Sequence, residues 1–164
     1  MALKKWNPAT KVSRGNVAVS ITPAIANIEA PKLTELQDSL ALECSISTFN
    51  ATSSTDSETV DWLCDPVSEN LPGSTSHEID DLIIKVSGQD DQELIESLSI
   101  GDTIYIWRRD GMQHDTVVTT GNRIWVWKVT VTSIDPVESN NVFIGITVHF
   151  TVSGRSKTSV PVAA

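Results

Sequence analysis

Two long runs near the end of the chain, residues 123–133 and 142–152, constrain its fold more than any other feature. In the first, Trp125, Trp127, Val129 and Val131 recur at every second position. In the second, Val142, Ile144, Ile146, Val148, Phe150 and Val152 do the same. A period of two puts each set on one face of a β-strand. Asp135-Pro136 and Asn140-Asn141 lie between the runs and supply the turn chemistry. The pattern predicts a long antiparallel hairpin with one strongly apolar side, which must be covered by the rest of the fold.

Shorter alternating stretches extend this reading. Val17, Val19 and Ile21 predict a strand over residues 16–21. Leu40, Leu42, Cys44 and Ile46 alternate with Ala41, Glu43 and Ser45 and predict one over 40–47. Residues 77–87 (HEIDDLIIKVS) and 103–109 read as two more, with Tyr105 and Trp107 opposite Ile104 and Ile106 in the latter. Thr34 is placed to cap a helical turn over 34–37. A helix is predicted over 91–98, with Asp90 as N-cap, Glu93 three residues on, Leu94, Ile95 and Leu98 as one stripe, and Gly101 as stop. Residues 50–57 and 111–120 read as polar loops, with 114–119 open to a short strand or an exposed loop. The expected class is mainly β, a sandwich or barrel of about seven or eight strands with one packed helix. Its expected limits are residues 16–152, between a basic N-terminal arm (1–15) and a polar C-terminal tail (153–164).

Charge narrows the function. The 164 residues carry a net charge of −9. Between Glu29 and Asp81 stand twelve acidic residues and one lysine, Lys32, whereas the bases Lys4, Lys5, Lys11, Arg14, Arg155 and Lys157 occupy the ends. Binding to phosphate backbones needs a Lys/Arg stripe interleaved with aromatics, which this chain lacks. No apolar run is long enough for a membrane helix. The start, MALKKWNPATK, has no apolar core of a signal peptide, so use on the cytosolic side is expected.

The motifs of catalysis and metal binding are missing. Cys44 and Cys64 have no paired zinc spacing and are expected as half-buried thiols. His77, His114 and His149 are dispersed, and His149 is expected as a surface or interface residue. Glu78 and Asp80 would share a strand face, but no second carboxylate stands at a spacing suited to glycoside cleavage. Nucleophile-elbow, phosphate-loop and dinucleotide fingerprints do not occur. No catalytic residue, metal site or cofactor is expected. Trp125 and Trp127 could stack sugar rings, but core or interface is the commoner role for such residues.

One passage is specific. Residues 39–73 read SLALECSISTFNATSSTDSETVDWLCDPVSENLPG. The strand ending in Cys44 to Asn50, then Leu63-Cys64-Asp65-Pro66, then Leu71-Pro72-Gly73, resembles the major tail (tail tube) proteins of long-tailed, siphovirus-type bacteriophages infecting actinobacteria. The pattern of residues 16–152 as a whole is similar to that family. The resemblance implies a structural virion protein of the phage tail, assembled in the host cytoplasm. It implies hexameric rings, their inner sheets joined into one barrel, stacked as a tube for DNA ejection. The implied partners are further copies of itself, a tape-measure protein, a tail terminator and distal tail proteins. DNA would pass through the lumen without specific binding.

Under that reading an acidic wall would repel phosphates, and Glu43, Glu78 and Asp80 are the strand residues suited to it. Lys4, Lys5, Lys11, Arg14, Arg155 and Lys157 would reach neighbouring rings. The loops carrying Asn50, Thr52 and Asp56, and Gln113 and His114, would touch adjacent subunits. The alternatives are a tail terminator or head–tail connector ring, or a soluble β-sandwich carbohydrate-binding module.

Overall fold

The computed structural model describes residues 14–60, 69–86, 98–137, 143–154 and 156–164. It is mainly β, with nine strands and one short helix among the described residues. These are β1 (Val17–Thr22), α1 (Leu33–Gln37), β2 (Leu40–Ala41), β3 (Ala51–Val60), β4 (Glu69–Ile79), β5 (Leu82–Lys85), β6 (Thr103–Asp110), β7 (Arg123–Pro136), β8 (Gly145–Val152) and β9 (Lys157–Pro161). The predicted helix over 91–98 falls outside the described residues, save Leu98, which is not helical. The chain divides into two compact units.

The first unit holds residues 14–44, 105–126 and 157–164. Its strands run in the order β2-β1-β6-β7, with β9 also on β7. β1 pairs antiparallel with β6, from Val17 opposite Asp110 to Thr22 opposite Tyr105. The core collects Ala18, Ile25, Leu36, Trp107, Val118, Ile124, Val126, Val160 and Val162. Each fully buried Val, Leu or Ile contributes about 1.5–3 kcal/mol, which makes this cluster the main source of the unit's stability. The Glu35 carboxylate fastens α1, accepting from the N–H of Lys32 at 3.0 Å and of Ala26 at 3.1 Å. The cap position is therefore Lys32, two residues before the expected Thr34.

The segment expected as a polar tail is instead part of this core. β9 pairs with β7, placing Val160 opposite Ile124. Beyond it, Val162 donates to the Asn122 carbonyl at 2.9 Å and Ala163 to that of Pro31 at 2.9 Å. Two valines every second residue were enough to hold it, a signal too short to outweigh its serines and proline.

The second unit holds residues 45–60, 69–86, 98–104, 127–137, 143–154 and 156. The predicted closing hairpin is present: β7 and β8 pair antiparallel, from Val129 opposite Val152 to Pro136 opposite Ile146. β5 adds to the far side of β8, with Leu82 opposite Val148. Leu82, Ile84, Val129, Val131 and Val148 are buried. Two positions depart from strict alternation. Ile124 and Val126 are buried as well as Trp127, so inward-facing positions adjoin at 126–127, and Trp125 is left 39% exposed. Ile144 precedes β8 and is 78% exposed; Val142 lies outside the described residues.

β8 begins at a glycine for a steric reason. A Cβ on Gly145 would lie 2.6 Å from the Ile84 carbonyl oxygen and 3.0 Å from the Phe143 ring. The first neighbour is backbone in a paired strand and cannot swing aside. Gly145→Ala is expected to cost about 1–3 kcal/mol, the range for overpacking, read as a lower urea midpoint with an unchanged slope.

Three further expectations are corrected. The strand over 40–47 is only Leu40–Ala41, followed by an isolated bridge from Ile46 to Ile84. The strand over 77–87 breaks at Asp80-Asp81, between β4 and β5. The polar loop over 50–57 is strand: β3 and β4 form a two-stranded antiparallel ribbon. Residues 52–59 of it are exposed at every position, so no apolar period marks it. Hydroxyl pairs across the ribbon hold its register, Ser54 to Ser76 at 2.8 Å and Thr55 to Thr75 at 2.9 Å. Pro72 and Gly73 sit inside β4 at a register shift, where Pro72 stands opposite Ser57. Proline is tolerated there because a two-stranded ribbon consists of edges.

Candidate functional site

The ribbon is the most unusual surface of the second unit. It is ten residues long on one strand and eleven on the other, and neither strand has another strand partner among the described residues. Two-stranded ribbons without a covered face are marginally stable in water. Its base is closed by a reciprocal contact: Asn50 Nδ2 donates to Asp80 Oδ2 at 2.9 Å, and the Asp80 N–H donates to the Asn50 carbonyl at 3.1 Å. Thr52 stands opposite Glu78, and Asp56 lies at the register shift. Asn50, Thr52, Asp56, Glu78 and Asp80 are thus gathered on one element, all exposed. Sequence reasoning placed Thr52 and Asp56 in a loop and Glu78 on a separate strand.

Glu43, the third candidate wall residue, has a different setting. It belongs to the first unit, and its side chain is only 13% exposed. Its Oε1 lies 3.9 Å from His114 Nδ1, and the buried Oε2 has no hydrogen-bond partner among the described residues. Nearby is Arg109, 1% exposed. Burial pulls the Arg109 guanidinium's pKa down, and the Glu43 carboxylate pulls it back up. A charged pair at strand positions reads as surface in a sequence, so nothing there signalled this enclosed cluster.

Among the basic candidates, Arg14 is exposed, and Lys157 on β9 pairs with Glu29 at 2.7 Å. Lys4, Lys5, Lys11 and Arg155 lie outside the described residues. Gln113 and His114 sit in the turn after β6, as expected of a loop. His149 lies on β8 between two carboxylates, Nδ1 at 2.7 Å from Asp81 and Nε2 at 3.4 Å from Asp135. Cys44 is exposed, not half-buried, because the strand expected to carry it stops at Ala41; Cys64 lies outside the described residues. Trp127 packs on Phe49, ring centroids 5.3 Å apart, so it is not an exposed partner for Trp125 in a sugar platform. No group of three metal-binding side chains occurs among the described residues.

The model of one family, described as phage tail tube protein, matches residues 4–164. The chain belongs to this family. The chain is thereby a structural component of the virion tail, and it assembles into a phage tail complex. A comparison with curated proteins gives no match. Among solved structures, a chain of the anti-feeding prophage baseplate, seen by cryo-EM with 6-fold symmetrisation, is similar at 12% identity and a TM-score of 0.44. The similarity covers 94% of the present chain and 98% of the baseplate chain.

Proposed function

We propose that copies of this protein close into hexameric rings and stack into the tail tube of a long-tailed phage of actinobacteria, the conduit through which DNA is ejected. The β3–β4 ribbon carries the proposal. It has two open strand edges and little burial of its own, and unpaired edges find partners in other chains. A neighbouring copy would supply what the ribbon lacks, with Asn50, Thr52 and Asp56 at the contact. A head-to-tail contact repeated around an axis closes a ring. The tape-measure, terminator and distal tail proteins then contact the tube's lumen and ends, and assembly takes place in the host cytoplasm.

Glu78 and Asp80 are exposed and acidic, which suits a lumen wall that DNA must slide past. Glu43 shares its charge with Arg109, so its contribution to such a wall is smaller. The basic ends, Lys4, Lys5, Lys11, Arg14, Arg155 and Lys157, would meet acidic surfaces of adjacent rings.

Electron microscopy of the purified protein tests the reading. Long hollow tubes are expected; discrete single rings would favour a terminator or connector, and monomers at high concentration would overturn it. The double charge reversal Glu78→Lys and Asp80→Lys is expected to leave tubes intact and to slow DNA ejection. Ejection at the wild-type rate would remove these residues from the wall. A chain lacking residues 1–14 is expected to stay monomeric, whereas normal tubes would refute the bridging arm.

A further inference from the structure

The turn carrying Gln113 and His114 is fastened from beneath by one side chain. Arg109, at the end of β6, gives Nη2 to the Gln113 carbonyl at 3.0 Å and to the Thr116 carbonyl at 2.6 Å. Nothing in local turn chemistry demands this: the turn has its own bond from the Thr116 N–H to the Gln113 carbonyl, 3.0 Å. A guanidinium taken out of water costs several kcal/mol and persists only with compensation. Here Nη2 has two carbonyls and the Glu43 carboxylate supplies a nearby opposite charge, while Nε and Nη1 have no acceptor among the described residues.

The same turn holds a second segment. The Gly111 N–H donates to the Asn16 carbonyl at 2.9 Å, and the His114 N–H to the Gly15 carbonyl at 3.1 Å. Gly15 and Gly111 both have positive φ, +76° and +82°, so each bend is set by backbone that few other residues adopt. Gly15 and Asn16 are where the sequence passes from its basic N-terminal stretch into β1. One buried cation therefore fixes a turn, and that turn fixes the root of the basic stretch.

We infer that Arg109 is a positioning residue for assembly: its Nη2, bonded to both Gln113 and Thr116, presents the 111–116 turn, with His114, and seats Gly15–Asn16 before any neighbour arrives. The assembly consequence rests on the tube reading above. Preorganisation matters because ordering a loop at an interface costs affinity, and a loop already ordered avoids that cost. Glu43 acts through Arg109 by offsetting its buried charge. Arginine suits the position because Nη2 is held in the plane of a guanidinium that stays charged when buried, whereas a lysine's ammonium sits on a flexible stem and is held less firmly.

The test is hydrogen exchange on the full chain. In Arg109→Met combined with Glu43→Gln, the paired charges leave together, so no lone buried ion remains. The Gly111 and His114 amides are expected to exchange at least about tenfold faster, while amides of the β1–β6 ladder keep their rates. The polymerisation threshold should rise by about tenfold or more, since the threshold follows the free energy of each contact. Ile124→Val, a small truncation in the same core, should move neither. If the double variant does not fold, Arg109→Lys with Glu43 intact keeps the charge and should give a smaller acceleration at the same two amides. Unchanged exchange at Gly111 and His114 in the folded variant would overturn the positioning role. Faster exchange with an unchanged threshold would overturn its part in assembly. A wild-type chain that forms no tubes would instead defeat the tube reading, and the exchange rates would still decide what Arg109 does.

Discussion

Trp107→Ala is expected to cost about 3–5 kcal/mol and to lower the melting temperature by roughly 6–20 °C, at about 2–4 °C per kcal/mol for a chain of this length. Trp107 is 3% exposed and central to the first unit's core, among Ala18, Val118 and Val126. Its removal leaves a cavity in a sheet whose backbone is fixed by the β1–β6 ladder, where Trp107 stands opposite Ser20. Such a site collapses poorly, which places the cost toward the upper end. One term opposes it: the buried indole N–H has no acceptor among the described residues, and an unmade bond of this kind costs about 1–3 kcal/mol. Trp107→Phe separates the two terms, because it removes the N–H and keeps most of the ring. It is expected to cost less than about 1.5 kcal/mol, as the lost volume and the relieved donor offset one another. Chemical denaturation of the three proteins side by side checks both numbers. Since whole domains are stable by only about 5–15 kcal/mol, the alanine variant should also accumulate less soluble chain.

What the sequence made legible follows the apolar period. The closing hairpin alternates over several residues, and a slip of one position would turn most of the set to water, so the pattern and the register specify each other. β1 and β6 were legible from their β-branched and aromatic residues, with β1 buried on both faces from Ala18 to Thr22. The β3–β4 ribbon has no such period. It is built from Ser, Thr and Asn paired across two strands, and the same composition reads as a loop when no face is buried. β9 escaped notice because Val160 and Val162 are only two apolar positions among polar neighbours. Arg109 and Glu43 were hidden for a different reason. Charged residues on short strands are ordinarily solvated, and only the fold brings a turn, residues 113–116, over the guanidinium to supply its acceptors. The site residues divide in the same way: the carboxylates and amides of the ribbon could be named one by one, but their common element could not.

Proline in the ribbon is expected to abolish tube formation without unfolding the monomer. Ser54–Ser76 and Thr55–Thr75 are successive pairs of one antiparallel ladder. Successive pairs alternate: in one, both N–H groups point into the ribbon, and in the next, both point out to the open edge. Ser76→Pro and Thr75→Pro therefore remove one inward and one outward donor between them. The inward loss breaks the ribbon's own ladder. The outward loss leaves that ladder whole and removes a donor from the open edge itself. Both edge pairing and ribbon order contribute at every contact between copies, so a change of even about 1 kcal/mol per contact shifts the threshold severalfold, and a strand proline costs more than that. The melting of the two cores should shift by no more than about 2–4 °C, because Ser76 and Thr75 are exposed and outside either core, so the loss falls on the ribbon, which opens locally. Circular dichroism melts and electron micrographs of the two variants give the result. Tubes from both would mean that the ribbon is idle in assembly. Loss of tubes from the outward variant alone would show that a neighbouring copy pairs with the ribbon's open edge, whereas loss from the inward variant alone would show that assembly needs the ribbon's own ladder and not its edge.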